Sequence, residues 1–190
     1  SGCFWGAEKG YEAMPGVLDA VSGYADGKGV RPTYREITKL KNKFNVNNHA
    51  EVVEVTYNKN LISTEQLLMH YFESHDPTQI NKQGNDVGTQ YRSIILYSTD
   101  EQKQTIDTVL NSYQELLSEA GYGDIATLVK PIQKFYKAEK YHQDYIAKNP
   151  NGYCPDHSTG VRFARSDKSP AQDNSKIAQG KSIIVIEPEG

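Results

Sequence analysis

The chain has 190 residues, enough to bury one substantial core and short for two domains of ordinary size. Its formal net charge of −3 excludes both a broad basic footprint for nucleic acid and a strongly acidic, disordered character. No apolar run approaches the roughly 18 residues of a membrane-spanning helix, and two cysteines are too few for the disulfide framework of a small secreted scaffold.

Residues 4–14 carry good helix formers and stop at Pro15-Gly16, so Cys3 stands at a predicted helix start. Residues 17–24 alternate as a strand does, and a Gly- and Pro-containing loop follows over 25–33. After the polar stretch 39–48, residues 50–57 read Ala-Glu-Val-Val-Glu-Val-Thr-Tyr, a strand that opens on Glu51. Ser63 and Gln66 form a capping box ahead of Leu67, Leu68, Tyr71 and Phe72, predicting a second helix that ends before Pro77. Residues 76–90 have the composition of a long loop, 91–97 of a strand and 100–120 of a long amphipathic helix. A further strand is expected within 127–135 and a short helix over 138–148, before Pro150 and the turn at Asn151-Gly152. From 155 to 180 the chain is too polar to offset the cost of ordering it, which predicts a tail or linker. Residues 181–187 then offer a strand with no evident local partner.

A thiol attacks as its thiolate, and the unpaired N–H groups of a helix N-terminus stabilise that anion, so position favours a reactive Cys3. Phe4 and Trp5 put aromatic surface beside it, although an aromatic pair is equally ordinary core packing. Two cysteines this far apart are also compatible with inert buried thiols.

Gly2-Cys3-Phe4-Trp5-Gly6 resembles the active-site motif of the type A peptide methionine sulfoxide reductases. Five further segments resemble that family in its own order: Pro32-Thr33-Tyr34, His49-Ala50-Glu51-Val52-Val53, His75-Asp76-Pro77-Thr78-Gln79, the run from Gly84-Asn85-Asp86 to Tyr91-Arg92-Ser93, and Tyr141-His142-Gln143. The resemblance implies an α+β fold, a two-layer, ferredoxin-like sandwich with a mixed central sheet flanked by helices. It implies a catalytic domain over 1–154, followed by a polar tail or linker over 155–190 that ends in the expected strand.

The implied activity is reduction of methionine S-sulfoxide, free or in peptides and proteins. Cys3 would be the nucleophile, Glu51 the acid that protonates the oxide, and Cys154 the thiol that resolves the resulting sulfenic acid as a disulfide. Phe4, Trp5, Tyr34, Asp86 and Tyr91 would bind substrate, while His75 and His142 are read as structural. The implied reductant is thioredoxin, with no cofactor, metal, nucleic acid or membrane, and the family allows a fused redox domain beyond the C-terminus. A cytoplasmic location is expected, a periplasmic or secreted one if the start at Ser1 is a trimmed or cleaved end.

Three features depart from the family pattern. The family usually has a strand running into the Gly-Cys pair, whereas the sequence starts two residues before Cys3, which leaves that strand absent or trimmed away; the spacing from Tyr34 to Glu51 is longer, and Asn48 stands where glycine commonly precedes His-Ala-Glu. Rival readings are weaker. His49-Ala50-Glu51 has the H-x-E form of a zinc deaminase, but the chain has no Pro-Cys-x-x-Cys to supply two thiolates. A cysteine hydrolase or a redox-sensing module would also use a thiol at a helix start; the hydrolase would not need Cys154.

Overall fold

The computed structural model describes residues 4–152 and 157–164, and the backbone of residues 181–186. Its centre is an antiparallel pair, β1 (Val17–Ala25) and β2 (Ala50–Asn58), with Tyr24 opposite Glu51 and Ser22 opposite Val53. The alternation read in β2 divides its side chains between two cores. Val53, Val55 and Tyr57 join the larger one, and Ala50 and Val52 the smaller.

Helices supply the larger core. α1 (Phe4–Glu12) contributes Phe4, Ala7 and Tyr11, α3 (Thr64–Ser74) contributes Leu67, Leu68, Tyr71 and Phe72, and α4 (Asp100–Glu119) contributes Ile106, Val109, Tyr113 and Leu117. Their starts follow local chemistry: Ser63 and Gln66 make the capping box of α3 in both directions, and Thr99 accepts from the N–H of Gln102 at the head of α4. The short α2 (Tyr34–Ile37), capped by Thr33, fills the gap between the predicted loop over 25–33 and the polar stretch 39–48, where no element was expected.

The predicted strand over 91–97 is shortened to β5 (Ile94–Tyr97), because Thr89–Tyr91 coils into a 3-10 turn. Arg92 fastens that turn, its guanidinium donating to the carbonyls of Thr89 and Asp26 at 2.7 and 2.8 Å. The loop before it holds a two-residue hairpin, β3 (Lys82–Gln83) and β4 (Asp86–Val87). The single strand expected within 127–135 is two, β6 (Leu128–Pro131) and β7 (Phe135–Lys137), at opposite edges of the sheet. Ile132 between them and Phe135 at the start of β7 cover Ala25, Ala50, Val52, Ile94 and Leu96 on the far face.

The helix expected over 138–148 gives way to a 3-10 turn at Lys140–His142 and α5 (Tyr145–Lys148), separated by Asp144 at φ 53°. Tertiary bonds outweigh helix propensity here: the N–H of Ala138 donates to the Ser22 carbonyl, and the Gln143 amide both donates to that carbonyl and accepts from the Ser22 N–H.

Residues 157–164 pack on the helices. Tyr113 Oη donates to the Val161 carbonyl at 3.0 Å and Arg162 pairs with Glu73 at 3.0 Å. β8 (Lys181–Ile186) finds a distant partner on each side, antiparallel to β2 and to β5, and gives a six-stranded sheet in the order β6-β5-β8-β2-β1-β7. β5 and β6 are parallel, so the sheet is mixed. No described helix is long and apolar enough to cross a membrane.

Candidate active site

Glu51 is the second residue of β2 and faces the helices, where its side chain is only 1% exposed. The backbone N–H of Phe4, a donor that the first turn of α1 cannot use internally, bonds its carboxyl group. Its Oε2 is buried with no hydrogen-bond partner among the described residues. Burial pushes the pKa of Glu51 well above the usual carboxylate range, the Phe4 N–H works against that, and the charges of Asp86 and Glu139 push it further up. The group therefore favours its neutral acid form, the one that can give a proton.

Cys3 is bonded directly to the Phe4 nitrogen that reaches Glu51, and both Cys3 and Cys154 lie outside the described residues. What surrounds the Glu51 end of α1 is described. Phe4 is wholly buried, its ring 5.7 Å from that of Tyr24 and 5.1 Å from that of His142. Trp5 is partly exposed, stacks on Tyr145 at 3.7 Å and donates from Nε1 to Nδ1 of His142 at 3.1 Å. Since Nδ1 accepts, neutral His142 carries its proton on Nε2, which lies 3.5 Å from Glu139. Burial lowers the pKa of His142, and Glu139 only partly opposes it. Tyr34 completes this wall with its ring 4.7 Å from His142.

Three tyrosines converge on the acid. Tyr24, directly across from Glu51, donates to Glu139 at 2.6 Å, and the backbone N–H of Tyr34 donates to the other oxygen of Glu139 at 2.8 Å. Burial opposes charge on Glu139, yet these two bonds outweigh it and hold its pKa below the ordinary value. Tyr91 is half-buried, and burial together with the fields of Glu51, Tyr34 and Asp86 drives its pKa upward, so its hydroxyl stays protonated. Asp86 begins β4, with Oδ2 buried.

The loop that carries Asp86 is pinned at several points. The Gln83 amide exchanges hydrogen bonds with the backbone of Asp76 at 2.9 and 3.0 Å, and the Gly84 N–H donates to Gln79 at 2.8 Å. Gly84 sits at φ 57°, and a Cβ there would lie 2.4 Å from the His157 ring, so glycine is required twice over. Asn48 donates to the Ile37 carbonyl at 2.9 Å and to Thr89 at 3.3 Å, tying the segment behind Tyr34 to the turn that carries Tyr91. An amide serves there where a glycine would leave both acceptors open.

Of the residues singled out in the sequence, Glu51, Phe4, Trp5, Tyr34, Asp86 and Tyr91 gather around the end of α1, and His75 instead bonds the Tyr71 carbonyl and Ser93 in the core. Sequence reasoning missed Tyr24 and Glu139. The only available signal was that Glu139 lies two residues before the segment Tyr141-His142-Gln143. A surface cavity lined by Asp26, Lys28, His49, Lys130, Lys134 and Tyr136 includes none of the gathered residues.

The family model of the peptide methionine sulfoxide reductases matches residues 1–173. The peptide methionine sulfoxide reductase MsrA of Xylella fastidiosa is 49% identical over 164 residues, 86% of this chain and 74% of that protein. Its counterpart in Corynebacterium kroppenstedtii is 47% identical over 165 residues, 84% and 73% of the two chains. Among solved structures, methionine sulfoxide reductase A of Corynebacterium diphtheriae superposes with a TM-score of 0.74 at 42% identity, over 84% of this chain and 76% of that one. The reduced form of Mxr1 from Saccharomyces cerevisiae gives 0.70 at 35% identity, over 85% and 88%.

Proposed function

The chain belongs to the peptide methionine sulfoxide reductase family, and on that premise we propose that Cys3 is its nucleophile, Glu51 its general acid and Cys154 its resolving thiol. It is an oxidoreductase that returns methionine sulfoxide to methionine. The observation that carries the proposal is the buried, proton-holding Glu51 hydrogen-bonded to the N–H that follows Cys3.

A sulfoxide has an electrophilic sulfur and a poor leaving group, so attack by the Cys3 thiolate needs a proton delivered to the oxide. Glu51 supplies it, with the Tyr34 and Tyr91 hydroxyls hydrogen-bonding the same oxygen. The sulfoxide is reduced by two electrons, the oxygen passes to Cys3 as a sulfenic acid, and the thioether leaves. The Phe4 and Trp5 rings bound the space that the methyl group enters, and Asp86 orients the substrate from its pinned loop. The sulfenic acid then condenses with the Cys154 thiol, forming the disulfide and releasing water. A dithiol protein such as thioredoxin closes the cycle.

Both flanks of Cys154 support its role. Gly152 packs on Tyr145, whose ring stacks on Trp5, and the His157 ring lies against Gly84 in the Asp86 loop. Cys154 follows Gly152 by two residues and precedes His157 by three, so the described residues on either side of it both border the site. We place the chemistry within residues 1–154 and read the fold as a two-layer, ferredoxin-like sandwich of the helices on the mixed sheet. The scarcity of cysteine suits a reducing compartment such as the cytoplasm.

The test is reduction of a peptide carrying each sulfoxide epimer separately, with a dithiol as electron source. The S epimer should be consumed, the R epimer left, and Cys3→Ser should be inert. Consumption of both epimers at equal rates, or activity in Cys3→Ser, would overturn the reading.

A further inference from the structure

Two surface cavities, of about 660 and 420 Å³, share Lys28, Gly29, Val30, Asn47 and His49 in their linings, so together they form one groove. Where they meet, the Lys28 N–H donates to the Asn47 carbonyl at 2.8 Å and ties the loop after β1 to the stretch before β2. One end of the groove is lined by Glu36 and Ile37 of α2, the helix that opens on Tyr34, and the other by Lys130 of β6 and Lys134 in the link to β7. The same stretch also reaches the far tyrosine of the site: the Thr89 N–H, in the turn that carries Tyr91, donates to the Lys43 carbonyl at 2.8 Å. The groove therefore lies along a segment that joins two walls of the site.

Its lining is basic and apolar. Residues 28–48 hold six of the chain's 21 lysines and arginines but one of its 24 acidic residues. The two carboxylates in the groove are already engaged, Asp26 with Arg92 at 3.1 Å and Lys130 at 3.0 Å, and Glu36 with Lys39 and Lys41. Lys28, Arg31 and Lys134 are exposed and make no ion pair among the described residues. In the same lining Val30 and Val46 stand 73% and 84% exposed. Exposed apolar side chains among unneutralised cations, on a chain of net charge −3, suit a partner that is acidic and partly apolar.

We propose that this groove docks the polypeptide around the sulfoxide and selects acidic segments that carry apolar residues among the carboxylates. The inference rests on the reductase reading above and names the class of protein substrate it serves. A polypeptide whose sulfoxide sits against the Tyr34 wall continues past α2 into the groove, where its carboxylates meet Lys28, Arg31 and Lys134. Free methionine sulfoxide has no such arm, so the groove acts on binding of the chain and leaves the chemistry at the sulfur unchanged.

The test compares two S-sulfoxide peptides, one with acidic and one with basic flanks, and N-acetylmethionine S-sulfoxide, all with a small dithiol as reductant. The parent should favour the acidic peptide by about tenfold in kcat/KM at low salt, within the range that charged clefts supply. That gap should close at ~1 M salt, where screening acts within ~3 Å. Replacing Lys28, Arg31 and Lys134 together by glutamine should erase the gap and replacing them by glutamate should reverse it, with the small sulfoxide reduced at the parent's rate. Glutamine at Lys9, Lys59 and Lys103, none of which lines the groove, should keep the gap. Equal rates on the two peptides, a gap that survives the groove variants, or one that vanishes equally in the distant variant would overturn the docking site and leave the reductase reading intact. Single-stranded RNA that competes better than an unoxidised acidic peptide of equal charge would assign the groove to nucleic acid instead. A parent inert toward the small sulfoxide would overturn the reductase reading and this inference with it.

Discussion

Replacing Glu51 by glutamine keeps the shape of the side chain and an oxygen for the Phe4 N–H, and removes the proton it can give. Positioned general acids contribute ~10²–10⁴-fold to rate, or about 2.7–5.5 kcal/mol of activation free energy. Glu51 is 1% exposed and its Oε2 has no partner among the described residues, so water has little access to take its place as the acid. The loss should thus fall in the upper part of that range, about 10³-fold or more. The assay is rapid-quench measurement of the first turnover on an S-sulfoxide peptide, followed from neutral to alkaline pH. The parent's rate should fall as pH rises through the elevated Glu51 pKa, and Glu51→Gln should lose that limb as well as the rate. Stability should follow with a defined sign. Because burial raises the folded-state pKa of Glu51, the stability tied to its proton is full below the unfolded pKa and lost as pH rises through the folded one. Glu51→Gln should therefore unfold with a flatter dependence on pH over that window. A first turnover within about threefold of the parent, with the alkaline limb intact, would refute Glu51 as the acid.

Cys154→Ser should release one equivalent of methionine per enzyme and stop, with a sulfenic acid trapped by a dimedone probe, whereas a resolving role elsewhere would leave multiple turnovers. Glu139→Gln removes a charge that raises the Glu51 pKa, so the alkaline limb of the pH profile should move to lower pH; an unmoved limb would show that Glu139 does not bias the acid. The same change weakens charge-assisted bonds from Tyr24 and the Tyr34 N–H, each worth about 1.5–3 kcal/mol, and should lower the unfolding midpoint. Glu8→Ala strips an acceptor from the Ser22 N–H and hydroxyl and from the Asp144 N–H, and should cost about 1–3 kcal/mol in denaturant unfolding while leaving the pH profile of the reaction unchanged.

Elements whose cause is local were legible in the sequence. Ser63 and Gln66 announce α3 because a capping box is closed within four residues, and the alternation toward Tyr57 announces β2 because Val53, Val55 and Tyr57 are buried while Glu54 and Thr56 between them are less so. Elements set by distant partners were not. Residues 138–148 have helical composition, but Gln143 and Ala138 are held by Ser22, and Asp144 turns left-handed where a helix would continue. β8 has no cue to its partners, because pairing with Val53 to Asn58 and with Ile95 and Leu96 is a property of the assembled sheet. The site divides in the same way. Glu51 was legible through its motif and strand position, while Tyr24 lies opposite it only by register and Glu139 reaches it only by folding.

The two glutamates near the end of α1 show how one site holds a proton in a chosen place. Glu51 is shielded from water whereas the Glu139 side chain keeps 27% of its exposure, and each repels charge on the other. What separates them is burial first and hydrogen bonding second. Glu139 receives Tyr24 and the Tyr34 N–H on its two oxygens and stays ionised, whereas Glu51 has the Phe4 N–H alone among the bonds described and keeps its proton. Groups whose surroundings push their pKa values apart define which is acid and which is fixed charge. Tyr24 is the link: it faces Glu51 across the strand pair but spends its hydroxyl on Glu139. Tyr24→Phe should therefore raise the Glu139 pKa, weaken its field on Glu51 and lower the alkaline limb of the reaction. A limb that moves upward, or stays, would mean that Tyr24 does not maintain this division.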